Sequence, residues 1–497
     1  MGVVRCKDDT RLPVAPSVTT RAVVWFRRDL RLGDNPAWAA ASRAADRVVG
    51  LYVLDPIPLA RAGGFRRTQL LAHLHGLNEC LRRQGGCLMV RTGTPAVVVP
   101  EVAAACGAGT VYANADVTPY SRTRDDAVAR ELGDAFVLSW GNLVHRPSTV
   151  VTAKKQTPRV FTPFFTRWSQ LPLPAWPGAV PVEVDTNPGD GLPAVESEPF
   201  QVGGEGAALN RLRDFAHRVD DYDDTRDVPS LVGTSILSAD LRFGTLAPRT
   251  AATSIGTWTK GRASFVRQLA WRDWYAHLLW EIPSLVDTAL RPKLDNIVWE
   301  NDHCDIAAWQ SGQTGYPFVD AGMRQLASTG WMHNRARMVA ASFLVKDLLV
   351  DWRIGERWFR RLLVDADIAQ NAGNWQWVAG TGPDAAPYFR VFNPVRQSMK
   401  FDPDGVYIRA FVPELAGVST RWIHSPWTAP SLELAASGVT LGSSYPHRII
   451  EHDFARGRAL SAYAAGTEAI KSGAVSDAVA LVRRNRDVHH RLRRSSS

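Results

Sequence analysis

The sequence contains few cysteines and no long apolar run, and each absence excludes a class of protein. Five cysteines are scattered among 497 residues with no C-x-x-C pair, so we expect neither a disulfide framework nor a structural zinc site. No apolar run is long enough to span a bilayer. The first twenty residues mix charges and prolines where a secretory signal has an apolar stretch. We therefore expect a cytoplasmic protein, associated with the nucleoid in a bacterium, that does not bind a membrane.

The glycine fingerprint of dinucleotide-binding folds is also absent. In the first 140 residues, short apolar runs alternate with helical stretches, such as the one in which Leu70, Leu74, Leu77 and Leu81 recur at helix spacing. This rhythm predicts a doubly wound parallel sheet. The predicted strands are Val23–Phe26, Val48–Leu54, Leu88–Val90, Val111–Ala113 and Phe136–Leu138. The first is followed by R-R-D-L-R at 27–31 instead of G-x-G-x-x-G, so we do not expect a dinucleotide pyrophosphate to bind at this turn.

Positive charge is in excess, because 58 Lys and Arg against 49 Asp and Glu give a formal net charge of +9. Such a balance attracts polyanions, and nucleic acid is the first candidate. A basic protein without a polyanionic partner is an equally good interpretation of the charge alone. Part of the excess lies in residues 471–497, which form either an electrostatic arm or a solvated end.

The character of the sequence changes along the chain. The chain is too long for one core, and residues 171–205 are rich in Pro, Gly and acidic residues, which is typical of a connection between domains. After about residue 208, helical patterns rich in tryptophan replace the strand patterns. We therefore predict an N-terminal extension, a Rossmann-like α/β domain, a linker, an all-helical domain and a basic tail. Their bounds are 1–21, 22–150, 151–207, 208–470 and 471–497.

Residues 331–349 have the pattern of a helix that forms one wall of a ligand site. One face is apolar, and another carries Asn334, Arg337 and Met338. A half-exposed helix with an ordinary polar edge explains the spacing equally well. The apolar face consists of Ala336, Val339, Ala340, Phe343 and Leu344.

Two carboxylates follow at Asp365 and Asp367, with Asn371 one helical turn further along. No third carboxylate or histidine lies at a spacing suited to a metal, so we expect no metal site. A more plausible role than metal binding is that the two carboxylates face an arginine such as Arg337 and accept hydrogen bonds from the N–H groups of a heterocycle.

Several motifs in consistent order resemble the DNA photolyase/cryptochrome family, and most closely its class I cyclobutane pyrimidine dimer photolyases. The motifs are W-F-R-R-D-L-R at 25–31, T-S-I-L-S at 234–238, W-M-H-N-R at 331–335, D-A-D-I-A-Q-N-A-G-N-W-Q-W at 365–377 and Y-F-R-V-F-N-P at 388–394. The likeness extends from about Val23 to about Ala464. It implies that FAD binds in a folded shape within the helical domain.

The resemblance implies roles for individual residues of the FAD site. Phosphates and ribitol would contact a Ser/Thr-rich turn, whose hydroxyl and N–H groups suit them. Arg337 would pair with Asp365, and Asn371 would lie near flavin N5. The residues implied to bind the cofactor are Tyr222, Thr234, Ser235, Ile236, Leu237, Ser238, Phe265, Arg337, Asp365, Ala366, Asp367 and Asn371.

The resemblance also implies an electron-transfer chain and a DNA-binding face. Trp375, Trp352 and Trp299 match the family's electron-transfer chain from the flavin to the surface. Trp271 and Trp377 match positions that flank a flipped dimer, where aromatic faces replace lost stacking. The residues implied to contact DNA are Arg226, Gln268, Trp271, Arg272, Tyr275, Asn334, Arg335, Trp377, Arg390 and Gln397.

Met338 and Gln268 bear on which substrate this member of the family would repair. The resemblance implies a catalytic set that consists of these two residues, Asn334 and the electron-transfer tryptophans Trp299, Trp352 and Trp375. Met338 follows the dimer-photolyase pattern, whereas Gln268 stands where many dimer photolyases have Glu. Gln can donate a hydrogen bond but supplies neither a proton nor a charge, so we expect an altered repair efficiency. The resemblance predicts light-driven repair of cyclobutane pyrimidine dimers in UV-damaged DNA by a monomer.

Other functions remain open at this point. A (6-4) photolyase and a cryptochrome-type blue-light sensor share the same motifs, and a general flavin oxidoreductase would need a nicotinamide site that no glycine fingerprint supports. The resemblance further implies an antenna chromophore in the α/β domain, either a folate or a deazaflavin.

Overall fold

The computed structural model describes residues 20–173, 175, 178–384 and 390–472, and its first part is built on a parallel sheet. The predictions for residues 1–19, for Tyr388 and Phe389 and for residues 473–497 lie outside the described residues. The strands are β1 (Arg21–Phe26), β2 (Arg47–Leu54), β3 (Leu88–Thr92), β4 (Thr110–Asn114), β5 (Phe136–Ser139) and β6 (Glu183–Val184). Their order is β3-β2-β1-β4-β5, and all pairs are parallel. The five predicted strands and the fold class are confirmed.

Helices cover both faces of this sheet, so β1 to β4 are mainly buried, whereas β5 at the edge of the sheet is partly exposed. The helices are α1 (Pro36–Ala44), α2 (Pro56–Arg61), α3 (Gly64–Arg82), α4 (Pro95–Cys106) and α5 (Pro119–Leu132). The leucine stripe predicted on α3 is buried against the sheet together with the β1 side chains Val24 and Phe26, whereas Val23 and Trp25 face the core under α4 and α5.

Residues 151–207 contain more regular structure than the word linker implies. They include helix α6 (Phe161–Gln170), which packs into the helical part of the molecule. They also include β6, which pairs with the start of β2 and adds a sixth strand to a sheet that we predicted to end near residue 140. A strand of two residues has no sequence periodicity, and its position depends on the partner strand.

The second part of the molecule is helical. Its helices are α7 (Glu205–Ala216), α8 (Tyr222–Thr225), α9 (Ser238–Phe243), α10 (Pro248–Ile255), α11 (Lys260–Glu281), α12 (His303–Ser311), α13 (Pro317–Thr329), α14 (Asn334–Ser342), α15 (Trp352–Leu362), α16 (Ile368–Ala379), α17 (Pro394–Phe401), α18 (Val406–Phe411), α19 (Ser431–Ala436) and α20 (His452–Ser472). A π-helix continues α14, and its bounds are Phe343–Asp347. The 3₁₀ helices are Gly133–Ala135, Val219–Asp221, Pro283–Val286, Pro292–Leu294, Pro413–Leu415 and Pro426–Thr428.

Within the described residues, no helix combines the length and apolarity needed to cross a bilayer.

The interior of the helical part explains the pattern of residues 331–349. Ala336, Val339 and Ala340 of α14 are buried, as are Phe343 and Leu344 of the π-helix. The predicted apolar face is therefore confirmed. The opposite face of α14 carries polar side chains and can form a wall of a ligand site.

The two parts of the molecule are joined by hydrogen bonds to backbone atoms. Arg31, directly after β1, is buried and donates to the carbonyl oxygens of Gly244 and Gly141, at 2.8 and 2.6 Å. Glu205 of α7 accepts from the backbone nitrogens of Leu32 and Gly33, at 2.9 and 3.0 Å. The bonds of this turn with Gly244 and Glu205 hold it against the helical part, whereas the bond to Gly141 stays within the α/β part.

Candidate active site

An arginine–carboxylate pair ties α14 to the turn before α16. Arg337 donates to both oxygens of Asp365, at 3.2 and 2.9 Å, and its Nε donates to the backbone oxygen of Met332 at 2.7 Å. The Asp365 side chain is 4% exposed. A bidentate pair to a buried carboxylate fixes both side chains, so the predicted Arg337–Asp365 pair is formed.

Asp367 caps the N-terminus of α16. Its Oδ1 accepts from the backbone nitrogen of Gln370 at 3.1 Å, and its Oδ2 pairs with Arg28. Burial would raise the pKa of Asp367, but the charges of Arg28, Arg272 and Arg242 outweigh burial and hold the pKa below its usual value. The carboxylate is therefore ionised at neutral pH and able to accept hydrogen bonds.

Asn371 is oriented by the helix next to it. Its Nδ2 donates to the backbone oxygen and to the Oε1 of Glu356 on α15, each at 2.9 Å. Glu356 is buried, burial raises its pKa, and Arg360 opposes that effect. Both bonds of Nδ2 point towards α15, so Oδ1 of Asn371 is left to accept a hydrogen bond from a group such as a protonated ring nitrogen.

The predicted phosphate turn begins after Gly233 and is strained. Ile236 has a φ of 54°, a left-handed conformation that is rare for a β-branched residue and is usually kept only for a functional reason. The Ser235 hydroxyl accepts from the backbone nitrogen of Leu237 at 3.3 Å. Beside the turn, Tyr222 and Phe265 meet edge to face at 5.8 Å between ring centroids, and α9 begins at Ser238.

The three tryptophans predicted to carry electrons differ in exposure. Trp375 and Trp352 are buried, whereas Trp299 is half-buried and meets the ring of Tyr463 edge to face at 6.0 Å. Trp375 packs tightly on α15, because a Cβ added at Gly355 would lie 2.1 Å from its ring. Their role as an electron-transfer chain stays a prediction.

Some residues predicted to contact DNA lie on an accessible face. Asn334 is exposed at the start of α14, and its Nδ2 lies 3.8 Å from the sulfur of Met338, one turn further along. Trp271 of α11 is half-buried and stacks on Phe161, with ring centroids 3.7 Å apart and planes 12° apart. Other members of the set that are exposed or half-buried include Gln268, Trp377, Arg390 and Gln397.

Other residues of the DNA-binding set have partners within the protein. Arg335 pairs with Asp227 at 2.8 Å, and Arg226 donates to the Ser264 hydroxyl at 3.4 Å. Arg272 donates to the backbone oxygens of Asn142 and Leu241. Tyr275 is 3% exposed. Arg272 and Tyr275 thus lie behind the accessible face, and their contacts with DNA stay predictions.

Comparison with known proteins decides the family. Residues 22–181 match a family model described as DNA photolyase, and residues 265–465 match one described as FAD binding domain of DNA photolyase. A deoxyribodipyrimidine photo-lyase of Agrobacterium fabrum is 39% identical over 474 residues, which cover 90% of this chain and 98% of that protein. The chain belongs to the DNA photolyase family.

Solved structures of photolyases and of a cryptochrome have the same fold. A class III photolyase from Agrobacterium tumefaciens superposes with a TM-score of 0.86 at 37% identity and covers 92% of this chain and 100% of that one. A Synechocystis cryptochrome gives 0.80 at 31% identity, with 89% and 99% covered. An archaeal photolyase from Sulfolobus tokodaii, solved with two FAD molecules, gives 0.78 at 33%, with 90% and 100% covered.

The side chains of this photolyase fit its expected cofactor, FAD. Asp365 and Asp367 offer side-chain oxygens as acceptors, Asn371 offers an amide oxygen, and the strained turn at Ile236 brings hydroxyl and N–H donors suited to phosphate. No group of three His, Cys, Asp or Glu side chains in the described part of the chain is placed to hold a metal.

The photolyase also has a cavity of about 190 Å³ between its α/β part and its helical part. The cavity opens at the carboxyl ends of β1, β2 and β4, where parallel sheets usually bind ligands. Residues of the helical part, including Arg242 and Ala366, close it from the other side. Its walls include Trp25, Tyr52, Tyr120, Arg28, Arg124 and Arg242.

Three residues of the photolyase site were missed by sequence reasoning. Glu356 holds Asn371, Arg28 pairs with Asp367, and Phe161 supports Trp271. Arg28 lies within a motif that we quoted for its resemblance without giving it a role. Glu356 and Phe161 carry no local signal, because their partners are distant in sequence.

Proposed function

We propose that this photolyase repairs cyclobutane pyrimidine dimers in DNA in a light-driven reaction, in which an electron passes from reduced FAD to a dimer flipped out of the duplex. One observation carries the proposal. A single turn of α14 directs Arg337 to Asp365 on the cofactor side and presents Asn334 and Met338 on the accessible side. The same wall thus serves a cofactor and a substrate.

The residues around the cofactor bind it and exclude water from it. Arg337 holds Asp365 in a fixed orientation, and Glu356 keeps the Asn371 oxygen turned towards the site. Reduced FAD, when bound, supplies the light-driven electron chemistry of the repair. Trp375, Trp352 and Trp299 would carry electrons between the cofactor and the surface.

The accessible face would receive the lesion. Trp271, supported from behind by Phe161, offers an aromatic surface to an unstacked base, and Trp377 would offer a second one. Arg226, Arg335 and Arg390 would contact phosphates, which position DNA without reading its sequence. A dimer stacks poorly, so it costs less to flip than an intact pair, by a few kcal/mol.

We also propose that the cavity holds a second, light-harvesting chromophore that is planar and anionic. Burial and the nearby Arg28 lower the pKa of Arg242 to about 9, and burial together with Arg360 lowers that of Arg66 to about 10. Seven arginines and two aspartates line the cavity, and this excess of positive charge suits a negatively charged ligand. A folate and a deazaflavin both fit this description, and their assignment stays open, as does the class I assignment.

Repair of a thymine-dimer oligonucleotide by the purified, photoreduced protein tests the proposed function. Blue light should restore thymine absorbance over many turnovers, and the dark control should restore none. The absorption spectrum of the same preparation should contain FAD plus a second band from the cavity chromophore. If FAD is bound and reduced but no dimer is repaired, the proposal fails, and a (6-4) photolyase or a light sensor takes its place.

A further inference from the structure

Arg28 crosses from the α/β part of the molecule to the candidate flavin site. It follows β1, and its guanidinium donates to both oxygens of Asp116, at 3.1 and 3.3 Å, within the α/β part. The same guanidinium pairs with Asp367 in the helical part, and its Nε donates to the backbone oxygen of Arg242 at 3.3 Å. The Arg28 side chain is 16% exposed.

Asp367 uses its two oxygens for two different purposes. Oδ1 caps α16 through Gln370, and Oδ2 binds Arg28. The carboxylate can therefore not rotate without losing either the cap or the ion pair. Asn371 lies one turn along the same helix, so the start of the helix that carries both residues is fixed by a side chain from the other part of the molecule.

Arg28 and Asp367 each stabilise the charged form of the other. Burial would lower the pKa of Arg28, but Asp116 and Asp367 outweigh it and raise that pKa well above its usual value. The pKa of Asp367 moves in the opposite direction, below its usual value. Both shifts show that the ionised forms are favoured together.

We propose that Arg28 is a positioning residue for the flavin site, whose bond across the domain boundary fixes Asp367 and the first turn of α16. Retention of FAD therefore depends on a side chain of the α/β part, although no residue of that part is assigned to the FAD site. The inference rests on the proposed function, in which Asp367 and Asn371 face the cofactor.

The neighbouring arginine provides a matched control. Arg27 belongs to the same motif, has the same charge and is buried, but its Nη1 pairs with Asp125 of α5 at 2.6 Å, and its Nη2 reaches the backbone oxygen of Asn114. Every one of these contacts stays within the α/β part. R27Q therefore removes a buried ion pair without removing the contact with Asp367.

The experiment compares the rate of FAD release from the wild-type holoprotein, R28Q, R28K and R27Q. The rise in flavin fluorescence measures the release, and thermal unfolding checks that each variant is folded. R28Q should release FAD about 10- to 100-fold faster, which is the effect of losing a hydrogen bond to a buried charge. R28K should restore part of the retention, because Lys keeps the charge but not the planar fork. R27Q should release FAD within about threefold of the wild-type rate, since neither of its two partners lies in the helical part and the pair between Arg28 and Asp367 is kept.

A double-variant cycle keeps the test valid if R28Q is unstable. If Arg28 acts through Asp367, R28Q should add little to the FAD loss already caused by D367N. Equal release rates in R28Q and wild type, or equal acceleration by R27Q and R28Q, would overturn the role of Arg28. A wild-type protein that binds no FAD would instead overturn the proposed function, so the two failures are distinguishable.

Discussion

Gln268 is the residue at which we expect a single side chain to change the efficiency of repair. It is half-buried on α11, one turn before Arg272 and three residues before Trp271, and its Nε2 donates to the backbone oxygen of Ser264 at 3.3 Å. That bond occupies a donor that a lesion carbonyl could otherwise use. The position has an amide where, by family resemblance, many dimer photolyases have a carboxyl group that could supply a proton to the dimer.

Q268E should therefore raise the repair yield per absorbed photon. A protonated carboxyl can donate a hydrogen bond to a pyrimidine carbonyl that gains charge, and we expect a gain of about two- to fivefold, equivalent to about 1 kcal/mol or less. The measurement is the quantum yield on a thymine-dimer oligonucleotide at saturating DNA. Q268A, which removes the side chain's polar atoms, is the control and should not show the gain. A lower yield in Q268E than in wild type would contradict the argument.

At the scale of elements, α15 and α16 form one unit around Trp375. Glu356 of α15 holds Asn371 of α16, and Gly355 lies directly against the Trp375 ring. Glycine is required here because of close approach: a Cβ at residue 355 would also lie 2.6 Å from the Leu344 side chain. Both neighbours are buried and have little room to shift.

G355A should destabilise the protein by up to about 2 kcal/mol. Overpacking a buried contact costs about 1–3 kcal/mol, and the better helix propensity of Ala returns about 1 kcal/mol of that. Urea unfolding of the holoprotein measures the difference. G457A is a matched control, because Gly457 is exposed within α20 and an added Cβ meets nothing within 4 Å. It should be neutral or stabilising, and equal midpoints for the two variants would refute the packing argument.

Elements with a strong local pattern were predictable, and contacts between distant elements were not. The buried runs of β1 to β4, the partly exposed run of β5 and the apolar face of α14 follow directly from residue spacing. Asp365, Asp367 and Asn371 were found because they share one motif. The two-residue strand β6 and the stacking of Phe161 on Trp271 depend on partners that sequence spacing does not reveal.

At the scale of the whole molecule, buried charges join the parts of the fold. Arg28 and Asp367 link the sheet to the candidate flavin site, and Arg458 of α20 pairs with Glu300, which lies before α12. Buried ions of this kind are stable only when their partners are in place. The fold therefore depends on several ion pairs whose members come from distant parts of the chain.

Lys346 is a buried charge at the junction of three elements. It lies in the π-helix, and its Nζ donates to the backbone oxygen of Ala379, the last residue of α16, at a distance of 3.1 Å. The same Nζ atom lies 3.6 Å from the ring centroid of Tyr463 in α20. Burial lowers the pKa of Lys346 to about 7. In the unfolded chain the pKa returns to about 10.4.

This difference predicts that the protein becomes more stable as the pH rises from 7 to 9. Below pH 7 both states hold the proton, and the cost of burying the ammonium group is present in full. Above pH 7 the folded state loses the proton while the unfolded state keeps it, so the free energy of unfolding should increase by about 2 kcal/mol between pH 7 and 9. The buried histidines, such as His277 with its pKa lowered by burial to about 4, change charge only below about pH 6.5. Urea unfolding at pH 7, 8 and 9, at equal FAD content, measures the slope, and K346M should remove most of it because Met has similar length but no titrating proton. A smaller remainder near pH 9 is expected from Arg242, whose pKa burial lowers to about 9. An undiminished slope in K346M would assign the pH dependence to another group.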